Sequence, residues 1–300
     1  MRPAPIALPG QARADARPKP PPRPSYEALR VFARNPSALA GVLLLAMILA
    51  VTIFGPMMMQ ADPFEIAAAP MEPPGGELLL GSDYLGRDVL TGMIYGGRAT
   101  LLVGVVAAVL SMAIGITVGA LAGYYGGWVD ETLMRITEFF QVLPTLLFAM
   151  VLVTLFSPSL ATIAVAIGVV SWTGTARLAR GEFLRLKRRE YVLAERVIGA
   201  GDARIIWRVI LPNALAPLIV SATLAIGTAI LFEAGLSFLG LGDPNVMSWG
   251  LMIGSNRPYI LTAWWAVTLP GAAIFLTVLA VSLIGDGLND ALNPTSRGRA

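Results

Sequence analysis

Residues 139–176 read FFQVLPTLLFAMVLVTLFSPSLATIAVAIGVVSWTGTA, 38 consecutive positions without an Asp, Glu, Lys or Arg. A helix rises about 1.5 Å per residue and the hydrocarbon core of a bilayer is roughly 30 Å thick, so about 20 uncharged residues make one crossing. As a single straight helix this stretch would overrun the membrane by nearly its full thickness. Ser157-Pro158-Ser159 at its middle is a turn signal. The stretch is therefore read as a hairpin of two short spans.

Four more uncharged windows lie around it, at Asn35–Ala61, Ala99–Val129, Val209–Phe232 and Pro258–Gly285. With the hairpin they make six transmembrane helices, and the expected fold is an all-α polytopic membrane protein. Composition agrees. Only 14% of the 300 residues are charged and the mean hydropathy is +0.70, whereas soluble domains carry roughly 25% charged residues. Too few ionic side chains exist to cover a globule, so apolar surface must meet lipid.

The basic residues test that count. Seven Lys/Arg fall in residues 1–34, Arg135 lies between the second and third spans, nine fall in 177–208 and two follow residue 286. If six spans alternate, these 19 share one side and only Arg87, Arg98 and Arg257 lie opposite. That bias places both termini in the cytoplasm. Residues 1–24 hold eight Pro and no apolar run long enough for a signal peptide, so a disordered basic tail is expected there. The expected division continues with 25–97 as an interfacial helix, first span and extracytoplasmic loop, 98–287 as the main transmembrane domain, and 288–300 as a cytoplasmic tail.

The absence of Cys and His removes disulfides, thiol and imidazole catalysis and the usual zinc sites. The two lysines, Lys19 and Lys187, do not follow Gly, so no GxxxxGK[ST] phosphate loop exists. No catalytic residue, metal or bound cofactor is expected. Gly240-Leu241-Gly242-Asp243 matches the GxGD string of intramembrane aspartyl proteases, but that chemistry requires a second Asp within a span to share a proton, and the long uncharged windows offer none. Gly115, Gly119, Gly123 and Gly127 recur every four residues, a stripe that lets helices approach closely in lipid. Glu233, near the outer end of the fifth span, is the clearest intramembrane charge; it either faces a pathway or hydrogen-bonds locally. Arg87-Asp88 either docks an external protein or forms a local ion pair.

Residues 177–208 are too long for a simple turn and contain no Pro, so they should be ordered. From Arg189 to Ile198 the apolar residues Tyr191, Ala194, Val197 and Ile198 fall on one face of a short helix. Gly199-Ala200-Gly201 breaks it, and Asp202 is placed as N-cap of a second helix running toward Leu211-Pro212. A short basic-flanked helix with an apolar face suits either a partner's groove or an anionic lipid surface.

The run YVLAERVIGAGDARIIWRVILPN, residues 191–213, resembles the EAA loop of binding-protein-dependent ABC importer permeases. LGSDYLGRDVLTGMIYGGRATLLVG (80–104), GYYGGWVDETLMRITEFFQVLP (123–144) and FEAGLSFLGLGDPNVMSWG (232–250) resemble three further blocks of the dipeptide/oligopeptide/nickel branch, in order. The chain is most similar to that branch's C-type permease subunit. The resemblance implies a type I permease fold with a cytoplasmic coupling helix, in a bacterial inner membrane. It implies as partners a second homologous permease subunit, making a heterodimer, two ATPase subunits that carry the ATP and Mg, an extracytoplasmic solute-binding protein, and membrane lipid; no nucleic acid is expected. Ala194, Gly199, Ala200, Leu211 and Pro212 then occupy motif positions, with Tyr191, Ala194 and Ile198 facing the ATPase. Glu195 stands where a second Ala is usual, either pointing to solvent or meeting an Arg of the ATPase. A self-contained secondary transporter or channel is the competing expectation; it leaves the ordered basic segment unexplained.

Overall fold

The structure, a computed structural model, describes residues 24–292. The expected tail at 1–24 lies outside the described residues up to Pro24, as does the tail at 288–300 beyond Leu292; residues 288–292 continue the last helix. Among the described residues the regular elements are all helical. α1 (Pro24–Arg34) leads into α2 (Pro36–Met59), whose start is set by Asn35: its side chain accepts from the backbone N–H of Ser37 and Ala38, and Pro36 opens the helix.

α3 (Val89–Tyr125) begins ten residues before the uncharged window because Asp88 caps it, accepting the N–H of Leu90 and Thr91 at 3.1 Å each. Its 37 residues span about 55 Å, well beyond a bilayer core. Asp88 thus does not pair with Arg87, whose guanidinium sits over the Phe64 ring at 5.0 Å.

The opening stretch folds as a hairpin about residues 157–159, where Ser157 has φ 69° and Ser159 accepts the N–H of Thr162. Its arms are not plain spans. α4 (Gly127–Val142) meets α5 (Thr145–Phe156) at 86°, and α6 (Leu160–Val170) meets α7 (Trp172–Leu186) at 42°. Leu143 is extended, with ψ 132°, as the residue before a proline should be, which accounts for the sharper bend. Four helices are long and apolar enough to cross unbroken, and six spans result when each bent pair counts as one.

α8 (Glu190–Val197) is followed by α9 (Asp202–Arg204), which runs through a π turn at Ile205–Ile210 directly into α10 (Leu211–Leu236). The two separate elements expected here, a helix and then a span, are one 40-residue rod, Asp202–Leu241. The Leu211 N–H donates to the Ile206 carbonyl, five residues back. This wider turn makes room for the ring of Pro212, which has no N–H and would crowd a regular α turn. α11 (Trp249–Asn256) is a short helix absent from the sequence reading, and α12 (Trp265–Leu292) closes the chain.

α3 is the central element, packed on α7, α10, α6 and α2. Three tryptophans near the outer boundary, Trp249, Trp264 and Trp265, are by residue type candidates for an interfacial belt, yet Trp249 and Trp265 are buried, and their indole N–H groups donate to the carbonyls of Met93 and Ser82. Trp264 alone of the three is exposed.

Candidate functional site

The EAA-like segment is built outward from a buried seam. Val192 is fully buried and packs with Tyr124, Phe183, Leu186, Ile205, Ile206 and Ile210, tying α8 to α3, α7 and the π turn. The opposite side of α8 faces away from the chain: Val197 is 87% exposed and Ile198 74%, and Tyr191, Leu193 and Ala194 share that exposure. Apolar side chains turned outward on an eight-residue helix have no intramolecular reason to be there.

Gly199 ends α8 with φ 83°. Its N–H donates to the Arg196 carbonyl and the Ala200 N–H to the Glu195 carbonyl, both at 3.0 Å, the paired bonds of a Schellman termination that needs a left-handed residue. Ala200 then packs against the buried seam. Asp202 is the first residue of α9 rather than its N-cap, which is Gly201; its carboxylate accepts the Tyr124 hydroxyl at 2.6 Å instead. Within the chain Glu195 lies 3.7 Å from Arg204. Leu211 is half-buried against the seam, while Pro212 is exposed at the start of α10.

Beside α8 an open cleft of about 530 Å³ is lined by Tyr124, Lys187, Arg188, Leu193, Arg196 and Asp202. The Lys187 ammonium donates to the Gly123 carbonyl at 2.7 Å, closing the end of α3, and the Arg196 guanidinium lies 5.2 Å from the Tyr124 ring centroid. Burial, helped by neighbouring Arg188, lowers the Lys187 pKa from the ordinary lysine value. Tyr124, Lys187 and Val192 escaped the sequence reading. Lys187 is one of only two lysines, and Tyr124 ends the glycine stripe one residue after Gly123, but neither fact names its partner.

The stripe brings α3 against α7. A Cβ on Gly115 would lie 2.6 Å from the Thr175 Cβ, and one on Gly123 would lie 2.7 Å from the Phe183 Cβ; Gly119 faces the backbone of Ala176 and Arg180. Gly127 is not part of it. It lies past the end of α3, at φ 52° with nothing within 4 Å of a Cβ, because the chain turns at Gly126.

Glu233 is 1% exposed and does not line an open path. Its carboxylate accepts the hydroxyls of Ser237 and Ser248 at 2.9 and 2.8 Å, with Thr100 at 3.4 Å, so it knits α10, α11 and α3 together. Asp243 of the GxGD string accepts the Leu160 N–H at the start of α6 at 3.1 Å, a structural bond and not half of a catalytic pair.

Residues 115–298 match the family described as binding-protein-dependent transport system inner membrane component. Residues 24–74 match the N-terminal TM domain of oligopeptide transport permease C. The chain is 42% identical to the di/tripeptide transport system permease protein DppC of Pseudomonas aeruginosa, over 93% of this chain and 95% of that one. It is 36% identical to the oligopeptide transport system permease protein OppC of Bacillus subtilis, over 90% of each. A solved structure of the MetNI methionine ABC transporter in an inward-facing conformation has a similar fold, with a TM-score of 0.57 at 21% identity, covering 67% of this chain and 96% of that one. Relatives at this identity over nearly the whole length, with the family match spanning α3 to α12, carry the assignment: the chain belongs to the binding-protein-dependent transport system inner membrane component family, as an ABC importer permease subunit of the dipeptide/oligopeptide branch.

Proposed function

We propose that this permease subunit forms half of a translocation pathway for di- or oligopeptides across a bacterial inner membrane, with both termini cytoplasmic. A second, homologous permease subunit supplies the other half, an external solute-binding protein delivers the peptide, and two ATP-binding-cassette subunits hold the ATP and Mg. The relatives' names support the peptide as substrate. The basic residues gathered at the α8 end support the orientation.

The observation that carries the coupling role is the outward apolar face of α8. Tyr191, Ala194 and Ile198, joined by Val197, form a ridge that a groove on an ATPase would bury. The seam at Val192 makes α8 move with α3, α7 and α10 rather than as a loose loop, so displacement of the ridge is passed to the spans as a rigid-body motion. Gly199 and Ala200 fix its angle, and Leu211-Pro212 start the span that it drives. Glu195, held near Arg204, sits at the flank of the contact.

Ala194→Asp tests this directly. An unpaired carboxylate pressed into an apolar groove costs about 3 kcal/mol or more, so the ATPase subunits should no longer co-purify while the permease still inserts. Normal co-purification would show that α8 does not enter a groove.

A further inference from the structure

A cleft of about 170 Å³ opens at membrane depth between α3, the bend joining α6 to α7, and α10. Its lining includes Ser111, Ser171 and Thr175, with Ser221 and Thr228 toward the rim. The Ser111 and Ser171 hydroxyls are buried and meet no hydrogen-bond partner. The Thr175 hydroxyl reaches only the Met112 sulfur at 3.5 Å, a weak acceptor.

This differs from how the chain treats hydroxyls elsewhere. Thr117 donates to the Ala113 carbonyl at 2.7 Å and Thr137 to the Leu133 carbonyl at 2.8 Å, the usual way a helix quiets a hydroxyl in apolar surroundings. Hydrocarbon tails cannot satisfy orphaned hydroxyls. Ser171 also stands at the 42° break between α6 and α7, and broken helices at membrane depth belong where they line a polar cavity. No Asp, Glu, Lys or Arg lines the cleft.

We propose that Ser111, Ser171 and Thr175 form a contact point for the solute in the pathway, which hydrogen-bonds the uncharged backbone amides of a passing peptide. This rests on the peptide-pathway reading above. At roughly 30 Å³ per water the cleft holds about six waters, or a peptide unit in their place. Hydroxyls without a counter-charge do not grip a peptide's termini. The contact is therefore indifferent to side-chain sequence and weak enough to release.

The test uses the assembled importer in proteoliposomes. Since the chain has no Cys, Ser171→Cys introduces its only thiol, and a small hydrophilic methanethiosulfonate reads access to it, with Leu155→Cys, on the exposed apolar side of α5 away from the cleft, as control. Cys at 171 should react, its modification should block tripeptide uptake, and saturating tripeptide should slow the reaction. In parallel, Ser111→Ala and Ser171→Ala should each raise the KM for tripeptide uptake about fivefold, as loss of one hydrogen bond requires, while Ser→Thr at either position restores it. A purely structural hydroxyl would instead leave KM unchanged and give equal or higher thermal stability on removal. Failure of the thiol to react, or reaction without protection while uptake proceeds, overturns this inference alone. Absence of any peptide uptake by the unsubstituted importer overturns the substrate reading and this inference together.

Discussion

Gly199 isolates one physical cause better than any other position in the coupling segment. It has φ 83°, and a Cβ built there meets nothing within 4 Å, so substitution adds backbone strain without a clash. Placing a residue with a Cβ in the left-handed region costs about 1–2 kcal/mol. A β-branched side chain lies at the top of that range, and Asn, which tolerates the region, near the bottom. If the backbone escapes the strain by flipping, the two bonds from Gly199 and Ala200 to the carbonyls of Arg196 and Glu195 are lost, at about 0.5–1.5 kcal/mol each. Both routes cost Gly199→Val about 2 kcal/mol, enough to leave α8 misaligned most of the time. The loss is local, because α8 is anchored through Val192 while the α3–α7 contact is untouched. A series of Gly199→Asn, Gly199→Ala and Gly199→Val, assembled with ATPases and binding protein, should therefore show uptake per ATP hydrolysed falling in that order, with thermal stability of the complex nearly constant. Equal coupling across the series, or loss that ignores the order, would refute the view that the left-handed termination sets the helix angle.

Gly119→Val perturbs the opposite property, since Gly119 has helical backbone but no space, with the Ala179 Cβ 2.7 Å from where its own would stand; overpacking costs about 1–3 kcal/mol and should lower the melting temperature of the detergent-solubilised complex, which unchanged melting would contradict. Lys187 titrates below the ordinary lysine value in the folded chain because burial disfavours its charge; in the window between that lowered value and the ordinary one the unfolded chain binds more protons, so stability rises with pH there, and Lys187→Met should flatten that rise in thermal scans at alkaline pH. In intact cells, an impermeant thiol reagent applied outside should modify Glu77→Cys but not Arg188→Cys, and the reverse pattern would invert the proposed orientation.

The membrane fold was legible because it follows from a coarse quantity, the length of uncharged runs, and its errors arise where helices ignore the edges of those runs. Asp88 starts α3 ten residues early because capping satisfies backbone N–H groups wherever an acceptor sits. Leu143-Pro144 turns the chain by 86° within an apolar run, and hydropathy does not register a bend. The helix expected to run toward Leu211-Pro212 and the span expected from Val209 are continuous, because the π turn before Pro212 lets one rod pass through it. Trp249 and Trp265 looked like surface anchors because aromatic belts are common; their burial depends on carbonyls of Met93 and Ser82 more than 150 residues away in the chain.

At the site, the spacing of Tyr191, Ala194, Val197 and Ile198 defined a face, and the fold decides what that face means. An apolar face on a helix is ordinarily its inner side. Here the residue turned inward is Val192, outside the expected set, and the four that share a stripe point away from the chain. The same inversion governs the charges. Glu233 drew attention as a lone acid in a span and is enclosed by three hydroxyls, whereas the unremarkable Ser111 and Ser171 are, with Arg87 Nε and a Glu195 oxygen, among the buried groups left without hydrogen-bond partners. Residue type marks where polarity is placed in a membrane chain; only the neighbours reveal whether it has been consumed internally. A motif whose apolar ridge stays unpartnered, and a serine pair that stays unbonded among the described residues, are two places where the fold by itself leaves a surface unsatisfied, and they are where the proposals above set a protein surface and a hydrogen-bonding solute.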